Sequence, residues 1–181
     1  MKPSRNFDEV CYPFIHETSV LCDFEVITDE LCGHIGAAWS HTPTDMPDIA
    51  ADLDQLQPLA FHVNGSIRGR LAVDEQDIAW LQSRLNHYRL EVADRLKGFV
   101  LPRGTLPVPH LHLARSAAKK AIRAMVRVEQ EGKTVPDVLP RLCNLMCNFL
   151  FTLTLVINQR RGIDEVAFIS KSYGPLPKDG L

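Results

Sequence analysis

Apolar residues recur three or four positions apart along most of the chain, as they do in amphipathic helices that bury one face. No stretch alternates apolar and polar residues over the length of a strand. Proline, glycine and threonine cluster between the periodic segments and predict loops there. Five helices are therefore expected, at residues 23–39, 48–67, 74–96, 110–130 and 134–158. Five helices with short connections predict an all-α, up-and-down bundle.

Local signals refine this picture at several positions. Asp74 is a suitable N-cap for the third helix, and Thr134 is one for the fifth. Pro58 lies inside the apolar pattern of the second helix, so we expect a kink or a short break there. Residues 98–109 contain three prolines and are expected to form a loop. Residues 166–170 are expected to form a short extended piece in an otherwise irregular tail.

The chain is organised as one domain with a short segment at each end. Residues 1–22 form an N-terminal segment, residues 23–159 the helical bundle, and residues 160–181 a C-terminal tail. A chain of 181 residues and 20.3 kDa is long enough for one hydrophobic core and short for two.

Composition narrows the class of protein. Hydrophobic residues make up 45% and charged residues 23%, which excludes wholesale disorder. The net charge of −2 argues against a nucleic-acid partner. The longest apolar run, residues 149–157, is too short to cross a bilayer, and the N-terminal residues lack the apolar core of a secretory signal. Five cysteines without Cys-x-x-Cys spacing fit a reducing compartment. We expect a cytoplasmic protein without a membrane or nucleic-acid partner.

The fourth predicted helix carries a basic cluster. Arg115, Lys119 and Arg123 stand four residues apart and share a face, and Lys120 and Arg127 lie beside them. Arginine offers a planar fork of donors and lysine a point charge, so such a strip can bind phosphates. A solvated helix face shows the same pattern, and both interpretations stay open at this point.

Two further features stand out from a plain helical bundle. Asp29 and Glu30 occur in a first helix that is otherwise largely apolar. They could pair with the basic strip, hold a metal or face solvent. The loop at residues 99–104 places an aromatic side chain and a tight turn just before the basic helix. Phe99 could serve a ligand, or it could be an ordinary core residue.

Other motifs predict no chemistry. Cys143 and Cys147 are one helical turn apart but supply only two ligands, so no metal site is expected. His110 and His112 are expected to cap or pack the start of their helix. Neither the Gly-x-Ser-x-Gly turn of a serine hydrolase nor a phosphate-binding P-loop occurs in the sequence.

Five segments carry a more specific pattern, and they span most of residues 23–158. They are DELCGHIG at 29–36, QPLAF at 57–61, FVLPRG at 99–104, LHLARSAAKKAIR at 111–123 and CNLMCNFLFTLTL at 143–155. Their residue types and their order resemble the motifs of the propanediol-utilisation type of ATP:cob(I)alamin adenosyltransferase. Each segment is weak evidence alone, but five in the right order are fairly specific.

The resemblance implies a five-helix bundle that assembles as a homotrimer, with sites between neighbouring subunits. The family transfers the 5′-deoxyadenosyl group of ATP to the cobalt of reduced cobalamin and releases triphosphate. The implied ligands are therefore cobalamin and ATP with Mg²⁺. Since cobalt(I) is the nucleophile, the protein has to hold ATP, neutralise the triphosphate and remove the lower axial ligand from cobalt.

The resemblance also assigns roles to individual residues. Phe99 matches the aromatic that packs under the corrin and displaces the lower ligand. Arg115 matches the arginine that pairs across the subunit interface with an acid of the first helix, which Asp29 matches. Asn144 matches an active-site asparagine, so Phe99, Arg115 and Asn144 are the expected catalytic residues. The residues expected to bind cobalamin or ATP are Asp29, Phe99, Lys119, Lys120, Arg123 and Asn144.

The chain departs from the family where ATP is bound. The family begins with a glycine-rich Thr-Gly-Asp-x-Gly-x-Thr loop around the triphosphate, but residues 6–22 contain no glycine. Close approach of backbone to phosphate usually requires glycine, so this cradle is missing or rebuilt. Family residues are also replaced by Arg103, Ile122, Leu145, Asn148 and Leu155.

These departures leave two functions open. The first is an active adenosyltransferase that holds ATP through Lys119, Lys120 and Arg123, with Arg103 beside them. The second is a non-catalytic relative that binds or delivers a corrinoid, or another tetrapyrrole-like ligand, without ATP.

Overall fold

The computed structural model describes residues 4–95 and 98–172, and five α-helices account for most of them. The helices are α1 (Val20–Ser40), α2 (Pro47–Ser66), α3 (Glu75–Glu91), α4 (Val108–Gln130) and α5 (Val138–Arg160). Short 3₁₀ turns lie at Phe7–Glu9 and Ala93–Arg95. Within these described residues there is no β-strand, only an isolated antiparallel bridge between Val100 and Ala167. The predicted all-α class and the number of helices are confirmed.

The bundle is built around α5. α1 packs against α2 and α4, and α5 packs against α3 and α4 and touches α2 over a short stretch. Phe149, Leu150, Leu153 and Val156 on α5 are completely buried. Burying a side chain of this size stabilises the fold by about 1.5–3 kcal/mol. α5 is also long and apolar enough to cross a membrane, but two-thirds of its most apolar window is buried inside the bundle. It is the core helix of this fold.

Polar caps fix the start of two helices. The Ser19 hydroxyl accepts a hydrogen bond from the backbone N–H of Leu21, so α1 begins three residues earlier than the apolar pattern predicts. The Glu131 carboxylate, in the turn after α4, accepts from the Ser19 hydroxyl at 2.7 Å and so ties that turn to α1. Asp74 is the N-cap of α3, as predicted, and forms a reciprocal capping box with Asp77.

Three expectations about helix ends and breaks are corrected. α2 continues through Pro58, so the short break is absent, and the alternative of a kink stays a prediction. Pro58 and Asp54, whose carbonyl loses its helical partner, are both exposed, which lowers the cost of the missing hydrogen bond. α5 begins at Val138 and not near Thr134, because Val135 precedes a proline and is disfavoured in helical geometry. α3 ends at Glu91, five residues before the predicted end at 96, and a 3₁₀ turn follows at Ala93–Arg95. Residue 96 itself lies outside the described residues.

An ionic cluster joins α2, α3 and α5. Asp52, only 7% exposed, accepts hydrogen bonds from Arg84 Nε and Nη2 at 2.8 Å and from the Tyr88 hydroxyl at 2.7 Å. Burial, reinforced by the bond to Asp52, raises the pKa of the Tyr88 phenol, so this group stays a donor. Arg160 on α5 bonds Asp48 at 2.8 Å and lowers the pKa of that carboxyl. These ion pairs and hydrogen bonds link α2, α3 and α5 at one level of the bundle.

The N-terminal segment folds back on its own bundle. Arg68, just after α2, lies with its guanidinium carbon 4.0 Å from the centre of the Phe14 ring. Its Nη2 donates to Glu17 at 2.8 Å and its Nε donates to the buried Glu25 at 2.9 Å. Residues 14–17 are therefore attached to α1 and α2 through one arginine.

All five cysteines lie in the described part of the chain and are free thiols. Cys11, in the N-terminal segment, is exposed, whereas Cys22, Cys32, Cys143 and Cys147 are buried. Burial raises the pKa of each of these four thiols, and that of Cys143 to about 12. Among the residues described, no group of three or more histidine, cysteine or acidic side chains is placed to hold a metal ion.

Candidate functional site

Phe99 lies in the loop that leads into α4, and its side chain is 62% exposed. The alternative that Phe99 is a core residue is therefore wrong. Its backbone carbonyl accepts a hydrogen bond from Phe168 N–H at 2.8 Å, and Leu101 N–H donates to Val166 O at 2.8 Å. These bonds flank the bridge between residues 100 and 167, so residues 99–101 and 166–168 form a small antiparallel ribbon.

Side-chain alternation gives this ribbon one apolar face. Phe99, Leu101, Val166 and Phe168 share that face, since each strand places alternate residues on the same side. Phe168 is 50% exposed and Val166 is 41% exposed. Two aromatic rings and two aliphatic side chains thus form an open surface suited to a flat apolar ligand. Sequence reasoning missed Phe168, although its alternation with Val166 was a weak signal.

Arg115 lies two turns into α4, the helix that follows the Phe99 loop. Its guanidinium carbon is 5.0 Å from the centre of the Phe151 ring on α5. Its Nε is buried and has no hydrogen-bond partner in the described part of the protein. Burial raises the pKa of the Cys147 thiol, and Lys119 and Arg115 oppose that shift, so both cations lie near this thiol. The cations and the Phe151 ring therefore meet between α4 and α5.

The other cations of the basic strip differ in their partners. Lys120 and Arg127 pair with acids on α1, whereas Lys119 and Arg123 face solvent. Lys120 Nζ is 3.1 Å from the Glu30 carboxylate, and Arg127 is 3.7 Å from Asp23. Exposed ion pairs like these contribute about 0–1 kcal/mol, so Lys120 can exchange its partner for a phosphate at little cost. Lys119 and Arg123 are exposed and form no ion pair within the described residues. Two cations on one face are thus free for an anionic ligand.

The structure does not pair Asp29 with Arg115 inside one chain. Asp29 is exposed on α1 and, like Arg115, makes no ion pair with any described residue of its own chain. Its neighbour Glu30 faces Lys120 and His34. The predicted pair is therefore not formed within the described residues of one chain.

Asn144 lies on α5 and is exposed. Its Nδ2 donates to the carbonyl of Pro140, one turn earlier, at 2.9 Å. Asn144, Cys147 and Phe151 are three and four positions apart, so they share one face of α5. This spacing puts Asn144 on the same face of α5 as Phe151, whose ring lies against Arg115.

His112, on the same helix as Arg115, has a strongly lowered pKa. It is 8% exposed, its Nδ1 has no hydrogen-bond partner among the described residues, and Arg115 lies one turn further along α4. Burial, and then the charge of Arg115, lower the pKa of His112 to about 4. The imidazole is therefore neutral at pH 7.

This shift predicts acid sensitivity. The unfolded chain takes up a proton on His112 near pH 6.5, whereas the folded protein does so only near pH 4. The free energy of unfolding should therefore fall by about 3 kcal/mol as pH drops through this window. Urea titrations at pH 7, 6, 5 and 4 should show a shallower loss for His112→Gln than for wild type. The control is His62→Gln, at an exposed position, which should retain the wild-type slope. Equal slopes for all three proteins would contradict the assignment.

The fold and the site define an all-helical protein with an exposed aromatic surface in the loop before α4 and a strip of cations on α4. Residues 18–157 match the family model described as cobalamin adenosyltransferase. The chain belongs to the cobalamin adenosyltransferase family, and the resemblance stated from its motifs is confirmed.

Individual relatives agree with this assignment. Over 141 residues the chain is 31% identical to the cobalamin adenosyltransferase of Cupriavidus metallidurans, with 76% of this chain and 74% of that one covered. Over 147 residues it is 28% identical to the corrinoid adenosyltransferase of Bacillus subtilis, with 77% and 75% covered.

Solved structures show the same fold. One is a variant of the PduO-type ATP:corrinoid adenosyltransferase from Lactobacillus reuteri in complex with cobalamin and ATP. Its TM-score is 0.74 at 20% identity, with 84% of this chain and 88% of that chain covered. A second variant, in complex with ATP, gives a TM-score of 0.73 at 20% identity, with the same coverage of the two chains.

Proposed function

We propose that this protein is a corrinoid adenosyltransferase that transfers the 5′-deoxyadenosyl group of ATP to reduced cobalamin. The observation that carries the proposal is the open apolar face around Phe99, in the loop that leads into the helix bearing the cations. Family membership supports the same reaction. The ribbon face fits the flat underside of a corrin. The unpartnered Nε of Arg115 is a buried donor that a polar ligand group would satisfy.

Each group of residues has a distinct task in this reaction. Reduced cobalt supplies the nucleophile, so a cobalt–carbon bond forms as the bond between C5′ and the triphosphate oxygen breaks. Phe99 and Phe168 exclude water and the corrinoid's own base from the lower face. Lys119 and Arg123, with Lys120 once it leaves Glu30, neutralise the triphosphate of Mg-ATP as it departs.

The direct test is anaerobic incubation with reduced cobalamin and Mg-ATP while the corrinoid spectrum is followed. We expect adenosylcobalamin to form. In the double variant Lys119→Ala/Arg123→Ala the KM for ATP should rise at least tenfold, since each hydrogen bond to a charged group is worth about 1.5–3 kcal/mol. Arg161→Ala removes an exposed arginine that pairs with Asp45 and serves as the control. No product from wild type would contradict the transfer reaction.

One observation favours a second function, the non-catalytic corrinoid carrier. Residues 6–22 contain no glycine, and Arg68 holds part of this segment against its own bundle. A backbone cradle for triphosphate is therefore not formed in the family's way. Calorimetry that detects no Mg-ATP binding, together with a clear change in the cob(II)alamin spectrum, would favour this carrier.

We further propose that the site is completed by a neighbouring subunit in a homotrimer. Asp29 and Arg115 have no ionic partner within the described part of their own chain, which supports a pair between subunits. Light scattering should give about three times the chain mass of 20.3 kDa. Asp29→Arg should weaken the assembly, and adding Arg115→Asp should restore it. Asp54→Arg, on the exposed face of α2, is the control. A mass near 20.3 kDa at micromolar concentration would contradict the trimer.

A further inference from the structure

Asn158, at the end of α5, is buried with 3% of its surface exposed. Its side-chain Nδ2 donates a hydrogen bond to the backbone carbonyl of Arg103 at 3.1 Å. Its own backbone carbonyl accepts one from Ile163 N–H at 2.8 Å. Arg103 belongs to the loop that carries Phe99, and Ile163 begins the segment that carries Phe168. One buried residue therefore holds both halves of the ribbon.

Gly104 lets the loop lie directly on this asparagine. A Cβ at position 104 would stand 2.5 Å from Asn158 Oδ1 and 2.7 Å from Val108 Cγ1. Gly104 also has a φ of +156°, a backbone conformation that other residues adopt only with strain. The Asn158 Oδ1 is buried against this glycine and has no hydrogen-bond partner in the described residues. The loop backbone is thus fixed by contact as well as by the bond to Nδ2.

The ribbon has few other anchors. It contains two backbone hydrogen bonds, and a two-stranded piece of this size is not stable by itself. Arg95 adds a second attachment, since its Nη1 donates to Ile163 O at 2.8 Å and to Glu165 at 2.7 Å. Phe99 is mostly exposed and Phe168 is half-exposed, so packing in the bundle core does not fix their position. Their position depends on how the backbone is held.

We propose that Asn158 is a positioning residue, which holds the ribbon so that the Phe99 ring meets the lower face of the corrinoid. Asn158 itself touches no ligand and acts through the backbone of residues 99–104. This inference rests on the proposed function, because the corrinoid gives the position of Phe99 its importance.

The first measurement needs no corrinoid. Hydrogen exchange of the Leu101 and Phe168 amides should become about tenfold faster in Asn158→Ala than in wild type, as expected when one buried hydrogen bond is lost. Asn64→Ala is the matched control, because Asn64 Nδ2 donates to Glu25 O at 2.6 Å between α1 and α2, away from the ribbon. Unchanged exchange in Asn158→Ala, or equal acceleration in Asn64→Ala, would overturn the proposal.

The second measurement is the fraction of cob(II)alamin that becomes four-coordinate with ATP present. Asn158→Ala and Phe99→Ala should both lower it severalfold, and the double variant should not lower it further, since the asparagine acts through the phenylalanine. Additive losses would overturn the proposal. If Asn158→Ala fails to fold, Gly104→Ala displaces the loop without altering Asn158 and should give the same loss. A wild type without four-coordinate bands would instead overturn the proposed function, and hydrogen exchange would still test the anchor.

Discussion

Phe99→Ala should weaken the spectral bands of four-coordinate cob(II)alamin severalfold while the bundle stays folded. A phenylalanine ring under the corrin excludes water and the lower base, whereas alanine leaves room for either ligand. The variant also forfeits much of the burial that the ring gains on binding, about 1.5–3 kcal/mol for a full side chain. Because Phe99 is 62% exposed in the free protein, its removal opens no cavity in the core. Anaerobic absorption and EPR spectra with ATP present would measure the effect.

A matched control for this substitution is present in the chain. Phe7, in the N-terminal segment, is 92% exposed, and Phe7→Ala should leave both the spectrum and the melting temperature unchanged. If Phe99→Ala lowers the melting temperature by several degrees and keeps the wild-type spectrum, the ring has a structural role only. A wild-type protein that leaves the cob(II)alamin spectrum unaltered would remove the corrinoid proposal altogether.

The largest loss of stability is expected for Asp52→Ala. Asp52, only 7% exposed, accepts hydrogen bonds from Arg84 and Tyr88. Removing one member of a buried ion pair costs about 3–5 kcal/mol, because the remaining charge and hydroxyl lose their partner. The partly exposed Arg84 can recover some hydration, so we expect about 3 kcal/mol, at the lower end of that range. Urea unfolding followed by circular dichroism would measure it.

Asp45→Ala gives the comparison, since Asp45 forms an ion pair with Arg161 at 2.9 Å on the surface. Such exposed pairs contribute about 0–1 kcal/mol. A loss for Asp52→Ala no larger than that for Asp45→Ala would show that the cluster between α2, α3 and α5 does not stabilise the fold.

Helix periodicity was sufficient to predict the fold, because each helix buries a stripe of apolar residues against its neighbours. α2 and α4 agree with the predicted bounds within two residues at each end. One error lies where two local rules conflict. Thr134 is a suitable N-cap, but Pro136 disfavours helical geometry at Val135, and α5 begins only at Val138. At Pro58 the exposed position lowers the cost of the proline, and α2 continues. α3 ends five residues before its apolar pattern does.

The candidate site was less accessible to sequence reasoning. Phe99 and Arg115 were found because local motifs contain them. Phe168 and Asn158 were missed because each meets the loop across 55 or more positions of the chain, and no local pattern reports such a contact. The predicted pair of Asp29 and Arg115 joins two subunits, so the structure of a single chain does not contain it. The trimer and the cytoplasmic location stay predictions.

The N-terminal segment can be labelled selectively, because it carries the one exposed cysteine of the five. Cys11 is exposed, whereas burial shields the other four cysteines and raises the pKa of each. A maleimide fluorophore should therefore attach at a single point, three residues before the Phe14 ring that stacks on Arg68. Its emission would report whether this segment stays docked on the bundle or moves when a nucleotide is added. The wild-type chain can thus be labelled directly, without first constructing a cysteine-free background.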